Sequence, residues 1–305
     1  IQAYLRKGSL LIERGRTKVE ESTRPGQDAK QHRAASLSLF DAALKTLQGS
    51  ARKENEPIGA VTNAEDAVIK RLREVDAALK NARGEGGGKD AGTKEAGKPA
   101  TKAKKPVRKP GTVRLMAELE EQQDVLRGQL LQTRLLIAGI SYEKSRALEP
   151  QSPEWVAALT ESAKRYQELY EKYRARGAGL LARYYEARNY LLLGRRKESL
   201  AALADIRTLD GDGIVPGLRA KAINASLECW LEDERYDEFD DRLLKLAIAP
   251  FAPGTIDSDW LGMKYRSALL LTRRAAALPA KDASKRLQLL RDARRLATEV
   301  AKINK

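Results

Sequence analysis

Residues that could perform catalysis are scarce in this chain, which contains one histidine and one cysteine. His32 lies in the polar stretch KQHR at the start of a predicted helix, so we expect it to be solvated and not a general base. Cys229 lies next to Trp230 in a predicted amphipathic helix, where a cysteine is typically a packed core residue. Nothing pairs the two as nucleophile and base, and together they supply too few ligands for zinc. We therefore predict a protein that is not an enzyme and has no catalytic residue, metal or cofactor.

Three short motifs resemble ligand-binding sequences, but their context favours a structural role. Residues 177–182 (GAGLLA) match a loose dinucleotide fingerprint, yet they follow a predicted helix and not a strand, which indicates a turn between helices. Residues 210–213 (DGDG) hint at a calcium loop, but Lys221 stands where such a loop needs its closing glutamate. The sequon at Asn224 falls in the middle of a predicted helix, and we expect no glycosylation there.

Residues 84–111 differ abruptly in composition from the rest of the chain. They are rich in glycine, lysine and proline, and Val107 is their only large apolar residue, so we predict a disordered segment. An acid-free basic tract begins within it and consists of Lys98, Lys102, Lys104, Lys105, Arg108, Lys109 and Arg114. Its composition is similar to that of histone tails. Two interpretations stay open: a spacer extended by like charge, or a binder of nucleic acid or another polyanion.

The opposite charge is concentrated around one predicted turn between helices. This acidic run comprises Glu232, Asp233, Glu234, Asp237, Glu238, Asp240 and Asp241. Carboxylates in the first turn of a helix are stabilised by the helix dipole, which is one interpretation of the run. The other is a patch that docks the chain's own basic tract.

The charge balance of the whole chain favours acidic partners. It carries 57 Lys and Arg against 42 Asp and Glu, a formal net charge of +15. No apolar run is long enough to cross a membrane, and a single cysteine excludes an intrachain disulfide. We expect a soluble and cytoplasmic protein, although a start at Ile1 instead of Met leaves room for a removed targeting segment.

The periodicity of apolar residues predicts eleven helices and no sheet, because no stretch alternates for long enough to form a strand. Gly8 and Gly15 lie on the apolar stripe of the first helix, where we expect a close helix crossing to offset their cost. Asn63 and Ser152 are predicted helix caps. Several residues are expected to face inward from later helices: Leu115, Leu209, Trp260, Tyr265, Leu287, Leu290, Ala293, Leu296 and Val300.

The clearest predicted hairpin spans residues 180–209. Its first helix stacks apolar residues on one face and ends at Gly194, where a left-handed residue is needed, and its second helix repeats the spacing. This stretch resembles a tetratricopeptide repeat, which pairs a small residue with an aromatic one three positions later. The pairing recurs as Ala187 with Tyr190, Gly139 with Tyr142 and, with a larger first residue, Leu227 with Trp230. The repeat spacing is longer and more irregular than the family's, and no proline follows Leu209.

The resemblance implies an all-α fold, an α-solenoid of stacked antiparallel hairpins. We expect N-terminal helical repeats over residues 1–83, the disordered basic linker or loop over 84–111, and the tetratricopeptide-like solenoid over 112–305. The helices on either side of the basic segment could be antiparallel neighbours. The predicted function is a scaffold that binds a peptide or partner subunit, with self-association also open. The predicted contact residues are Tyr184, Tyr185, Arg188 and Arg195, and the alternative is polyanion binding through the basic tract.

Overall fold

A computed structural model describes residues 1–26, 28–49, 57–83, 110–174, 176–209, 216–249 and 258–303. This described part contains eleven α-helices and no strand, which confirms the all-α prediction. The helices are α1 (Gln2–Glu21), α2 (Ala29–Leu47), α3 (Ala64–Arg83), α4 (Pro110–Ala147), α5 (Pro153–Tyr173), α6 (Gly177–Leu192), α7 (Arg196–Arg207), α8 (Pro216–Glu232), α9 (Asp241–Ile248), α10 (Ser258–Ala277) and α11 (Ala283–Ile303). The chain divides into two compact units, Ile1–Glu143 and Lys144–Lys305.

The first unit is built on a close crossing of α1 and α2. Gly8 lies against Leu47, and Gly15 lies against the fully buried ring of Phe40. A methyl group added at either glycine would come within 2.5 Å of the neighbouring side chain. The close helix crossing that was expected to offset the low helix propensity of these two glycines is therefore present, because only glycine lets the helices approach so closely.

The helices α3 and α4 pack side by side in the same unit. Val68, Val75 and Leu79 of α3 form a cluster with Leu126 and Leu130 of α4. Polar pairs join the two helices along their length, and their order shows that the helices run antiparallel: Glu65 with Arg134 (3.0 Å), Asp76 with Gln123 (2.5 Å) and Arg83 with Glu120 (3.0 Å). Residues 84–109, which connect them, lie outside the described residues, so their disorder stays a prediction. Pro110 and Gly111 were included in that predicted segment but begin α4.

In the second unit, consecutive helices pack on one another. The helix α6 contacts α5, α7 and α8, while α10 contacts α8, α9 and α11. Two of its core clusters reflect this order, with α5 to α8 around Leu203 and Ile206, and α8 to α11 around Leu227, Trp230 and Leu270. Neighbouring helices of this unit thus cover one another's apolar faces, as amphipathic helices require.

Helix ends follow their local sequence signals. Asn63 and Ser152 accept hydrogen bonds from the backbone N–H of Asp66 (2.9 Å) and Trp155 (3.1 Å), as predicted. Gly194 has a φ of 72°, and the N–H of the next residue, Arg195, donates to the carbonyl of Tyr190 at 2.8 Å. This is a Schellman ending of α6.

Several predicted inward residues are in fact exposed: Leu115, Leu209, Tyr265, Leu287 and Leu290. On α10 the core takes Met263, Ser267 and Leu270 instead of Tyr265. On α11 it takes Leu289, Ala293 and Leu296, so two of the five predicted residues there are buried. These helices carry apolar residues on two faces, and the position of the neighbouring helix decides which face is covered.

Candidate functional site

Three of the four predicted contact residues, Tyr184, Tyr185 and Arg188, lie close together on α6. This helix starts soon after the end of α5, and Gly179 in its first turn packs directly against the backbone carbonyl of Tyr173, the last residue of α5. A methyl group at Gly179 would lie 2.1 Å from that carbonyl oxygen. Residues 177–182 were predicted to form the turn between two helices, but they are the first residues of α6 and the turn precedes them. They follow a helix and not a strand, so the context of a nucleotide-binding loop is missing.

The aromatic half of this site is a row of three tyrosines. Tyr185 is 39% exposed, and its ring stacks on that of Tyr166 from α5, with the ring centres 5.3 Å apart. The ring of Tyr184 meets Tyr185 edge-on at 5.5 Å. Burial raises the pKa of Tyr184 to about 12, so its hydroxyl stays protonated at any physiological pH. Tyr185 is the exposed member of the row, because Tyr166 is buried and Tyr184 is partly buried. An exposed tyrosine ring is typical of residues that dominate protein interfaces.

The charged half is a ladder of side chains across α6, α8 and α10. Arg188 of α6 contacts Glu228 of α8 at 3.2 Å, and Arg266 of α10 reaches the same carboxylate at 3.8 Å. Each of the three side chains is about a third exposed, between 31% and 33%. Ion pairs at this exposure contribute up to about 1 kcal/mol each, so an incoming charged group could replace one partner at small cost.

A close helix contact fixes the register of this ladder. Gly262 of α10 lies against the side chain of Asn224 of α8, where an added methyl group would come within 2.8 Å. The side-chain amide oxygen (Oδ1) of Asn224 accepts a hydrogen bond from Arg266 at 2.7 Å. The sequon at Asn224 is thus in the middle of a helix, as predicted, and its amide side chain is engaged by α10.

Arg195 does not join this group, since it lies beyond the end of α6. Its guanidinium stacks on the ring of Tyr190 at 4.6 Å and pairs with Glu198 at 3.0 Å. It lines a separate open cavity of about 480 Å³ together with Trp155, Val156 and Leu192. Arg195 therefore lies apart from the other three predicted contact residues, and a role for it in partner binding stays a prediction.

An ion-pair network between α5, α6 and α7 was not anticipated from the sequence. Arg183 donates to both oxygens of Glu186 (2.8 and 2.9 Å) and to Asp205 (2.9 Å), and it stacks on the ring of Tyr170. Glu186 is almost fully buried, and this burial raises its pKa despite the neighbouring Arg183. The only local signal was the spacing of Arg183 and Glu186, three apart on one helix.

The two residues first considered for catalysis lie in different units. Cys229 is buried, and burial raises the pKa of its thiol to about 11, as a packed core residue requires. His32 was expected to be solvated, but only 17% of its side chain is exposed, and its Nδ1 lies 3.1 Å from the carboxylate of Glu21. Packing of α2 on α1 makes this contact, which local polarity could not reveal. In the described ranges, no group of three His, Cys, Asp or Glu side chains could hold a metal ion.

Most of the acidic run is already engaged within the second unit. Arg196 pairs with Glu232 (2.5 Å) and Asp233 (2.9 Å), and Arg235 pairs with Glu238. Asp240 caps α9 through the N–H of Leu243 at 2.9 Å. The helix-start interpretation therefore holds for Asp240 and Asp241 at the start of α9, whereas docking of the basic tract stays a prediction.

The basic tract lies almost entirely outside the described residues. Arg114 is the exception: its side chain, in the first turns of α4, is 85% exposed and contacts Glu118 at 3.0 Å. Six of the seven predicted polyanion-binding residues, and the DGDG motif at 210–213, therefore stay predictions.

Comparison of the chain with protein-family models, with curated proteins and with solved structures finds no match. Among the described helices, none combines the length and apolar character needed to cross a lipid bilayer.

Proposed function

We propose that the second unit is a tetratricopeptide-like α-solenoid that binds a segment of another protein along α6, α8 and α10. The observation that carries this proposal is the ladder of Arg188, Glu228 and Arg266 beside the exposed ring of Tyr185. Helical repeats commonly use the surface formed by consecutive helices to bind an extended or helical partner. The exposed ring of Tyr185 would supply buried area, and the ladder would exchange its internal ion pairs for charges on the partner.

The register of the ladder supports this assignment. Arg188 and Glu228 are 40 positions apart, and each lies on the first helix of a hairpin. The turns after these helices are also alike, because the N–H of Arg235 donates to the carbonyl of Trp230 at 2.9 Å, as Arg195 does to Tyr190. Equivalent positions of successive hairpins therefore meet on one surface, which is what a repeat architecture produces.

A double variant, Tyr185→Ala/Arg188→Ala, tests the proposal. The full chain would serve as bait in its source lysate, and captured proteins would be quantified by mass spectrometry against the same bait carrying this change. The matched control is Leu10→Ala/Arg14→Ala, which removes an exposed leucine and arginine from α1 in the other unit. We expect one or more proteins to be captured by the unchanged and control baits and lost, by at least about tenfold, from the double variant.

Circular dichroism of each bait would establish that the fold is retained. Equal capture by all three baits would contradict the proposal, since the ladder surface would then have no part in binding.

Polyanion binding through the basic tract is a second candidate, favoured by seven cations without an intervening acid between residues 98 and 114. Binding to duplex DNA should weaken steeply with salt, with a log–log slope of about −0.9 per phosphate contacted. Replacing the seven cations by glutamine should abolish binding at low salt, whereas Tyr185→Ala/Arg188→Ala should leave it unchanged. Undiminished binding by the glutamine variant would exclude the tract as the site.

A further inference from the structure

The last helix, α11, exposes an apolar stripe that the core does not use. Its buried side is formed by Leu289, Ala293 and Leu296. On the other side, Leu287 and Leu290 are 50% and 41% exposed. Two leucines within one turn of an exposed helix face lose the hydrophobic stabilisation that burial would give them, which suggests that another surface covers them.

The spacing of this exposed stripe is that of a seam between two helices. Its members recur at alternating steps of four and three residues, and all are exposed: Ala283, Leu287, Leu290, Arg294, Ala297 and Ala301. A stripe of this period keeps the same face toward a second helix over several turns. The alanines in its second half would let the backbones approach more closely than the leucines do.

Most charged side chains of α11 are positive, and three of the positive ones lie in or beside the stripe. Arg291, Arg294 and Lys302 are exposed, and no described residue forms an ion pair with them. The helix also carries two carboxylates, and each has a partner within the same unit; Glu299 lies 3.5 Å from Arg295 of the same helix. Asp292 accepts a hydrogen bond from Gln288 at 3.0 Å, and Glu299 lies 2.6 Å from the buried Nζ of Lys264.

The sign of these charges selects the occupant. The same face of a second copy would bring arginines against arginines, which disfavours self-pairing here. Nucleic acid would satisfy the arginines but not the leucines, and a bilayer would require a broader apolar face than two leucines and small alanines. A helix with leucines in its seam and carboxylates beside it would satisfy both features.

We propose that the exposed face of α11 docks an acidic amphipathic α-helix of a partner protein. Leucines of that helix pack between Leu287 and Leu290, and its carboxylates pair with Arg291, Arg294 and Lys302. This site uses none of the residues of the ladder on α6, α8 and α10, so the two proposals stand or fall separately.

A designed peptide provides the probe. It has about three heptads with Leu at the seam positions, Glu at the flanking positions and Ala elsewhere, and it carries a fluorophore. Fluorescence anisotropy with the full chain measures its binding, at a concentration too low for the peptide to self-associate. A peptide of the same composition with its heptad order scrambled is the first control. Saturable binding of the ordered peptide, at least about tenfold tighter than that of the scrambled one, is expected.

Charge reversal then locates the site. Arg291→Glu/Arg294→Glu should weaken binding of the acidic peptide at least about tenfold and should create binding of a peptide in which Lys replaces Glu. Both arginines are exposed, so the fold should be kept. The control Lys164→Glu/Lys197→Glu makes the same change in net charge at exposed positions of α5 and α7, and it should leave the affinity unchanged.

Three results would overturn the proposal. The first is equal binding of ordered and scrambled peptides, and the second is equal weakening by both pairs of charge reversals. The third is binding of duplex DNA or anionic vesicles that is lost on Arg291→Glu/Arg294→Glu and unaffected by Leu287→Ser/Leu290→Ser. That last pattern would make the face an electrostatic surface for a polyanion or membrane.

Discussion

Replacing glycine by alanine should have opposite effects on stability at Gly15, in the crossing of α1 and α2, and at Gly128, on an exposed face of α4. At Gly15, a new methyl carbon would lie 2.5, 2.8 and 2.9 Å from three ring atoms of Phe40, which is itself fully buried. Such overpacking costs about 1–3 kcal/mol. At Gly128, exposed in the middle of α4, the methyl carbon would meet nothing within 4 Å. Replacing a helix glycine by alanine contributes about 1 kcal/mol of stability by itself.

The helix-propensity gain is common to both changes, so it cancels when the two variants are compared. Gly128→Ala should stabilise the first unit by about 0.5–1 kcal/mol, and Gly15→Ala should leave it about 1–3 kcal/mol less stable than Gly128→Ala. Urea unfolding followed by far-ultraviolet circular dichroism measures both. The three tryptophans, Trp155, Trp230 and Trp260, all lie in the second unit, so their fluorescence monitors that unit in the same samples.

A compensating change tests the cause. Phe40→Leu removes the ring atoms that the new methyl group would meet. The loss of stability in the double variant Gly15→Ala/Phe40→Leu should therefore be smaller, by about 1 kcal/mol or more, than the sum of the losses in the two single variants. If Gly15→Ala and Gly128→Ala stabilise the unit equally, or if the double variant shows additive effects, the close-crossing argument is wrong.

Three further predictions concern the second unit. Lys264, fully buried, donates to the carbonyls at the end of α9 and contacts Glu299, so Lys264→Met should cost about 2–4 kcal/mol in urea unfolding followed by tryptophan fluorescence. Glu234 follows α8 as Gly194 follows α6, and it adopts a φ of 55°, in the left-handed region that favours glycine. Glu234→Gly should therefore raise the free energy of unfolding by about 1 kcal/mol, and Gly194→Ala should lower it by a similar amount in the same assay. The raised pKa of Glu186 means that protonation of this residue favours the folded state. The difference in free energy of unfolding between the unchanged chain and Glu186→Gln should therefore be largest below the ordinary glutamate pKa and should fall as the pH rises through the pKa of the folded state. A difference in free energy of unfolding that grew with pH would refute this.

The sequence predicted those features that depend on a few neighbouring residues. The cap at Ser152, the left-handed turn at Gly194 and the number of helices all follow from local spacing and backbone chemistry. Gly8 and Gly15 were informative for the same reason, since glycine in the middle of an apolar stripe has few uses other than close approach.

Features that depend on distant neighbours could not be predicted in the same way. On α11, Leu287 and Leu289 are equally apolar, and only the position of α10 determines that Leu289 is buried and Leu287 is not. The pairing of Arg188 with Glu228 joins residues 40 positions apart, and neither has a local feature that marks its partner. Aligning the sequence with itself at an offset of 40 residues would have placed Arg188 opposite Glu228, and this is the signal from which the pair could have been found.

Ion pairs between helices of the second unit offer an account of how these helices keep their register. Arg188 of α6 meets Glu228 of α8, Arg196 of α7 meets Asp233, and Lys221 of α8 lies 3.2 Å from Asp259 of α10. Each pair is partly exposed and contributes at most about 1 kcal/mol to stability, which is little beside the burial of Trp230 or Leu203.

Their value lies in discrimination between alternative packings. Leucine- and alanine-rich faces tolerate a shift of one helical turn with little loss of contact area, whereas such a shift would separate each cation from its carboxylate and leave charges unpaired at a helix interface. The same ladder that we propose as a binding surface would therefore also hold the hairpins in register. If so, reversing one charge, as in Glu228→Lys, should disturb the packing of α8 against α6 and α10, and the paired reversal Arg188→Glu/Glu228→Lys should restore part of it.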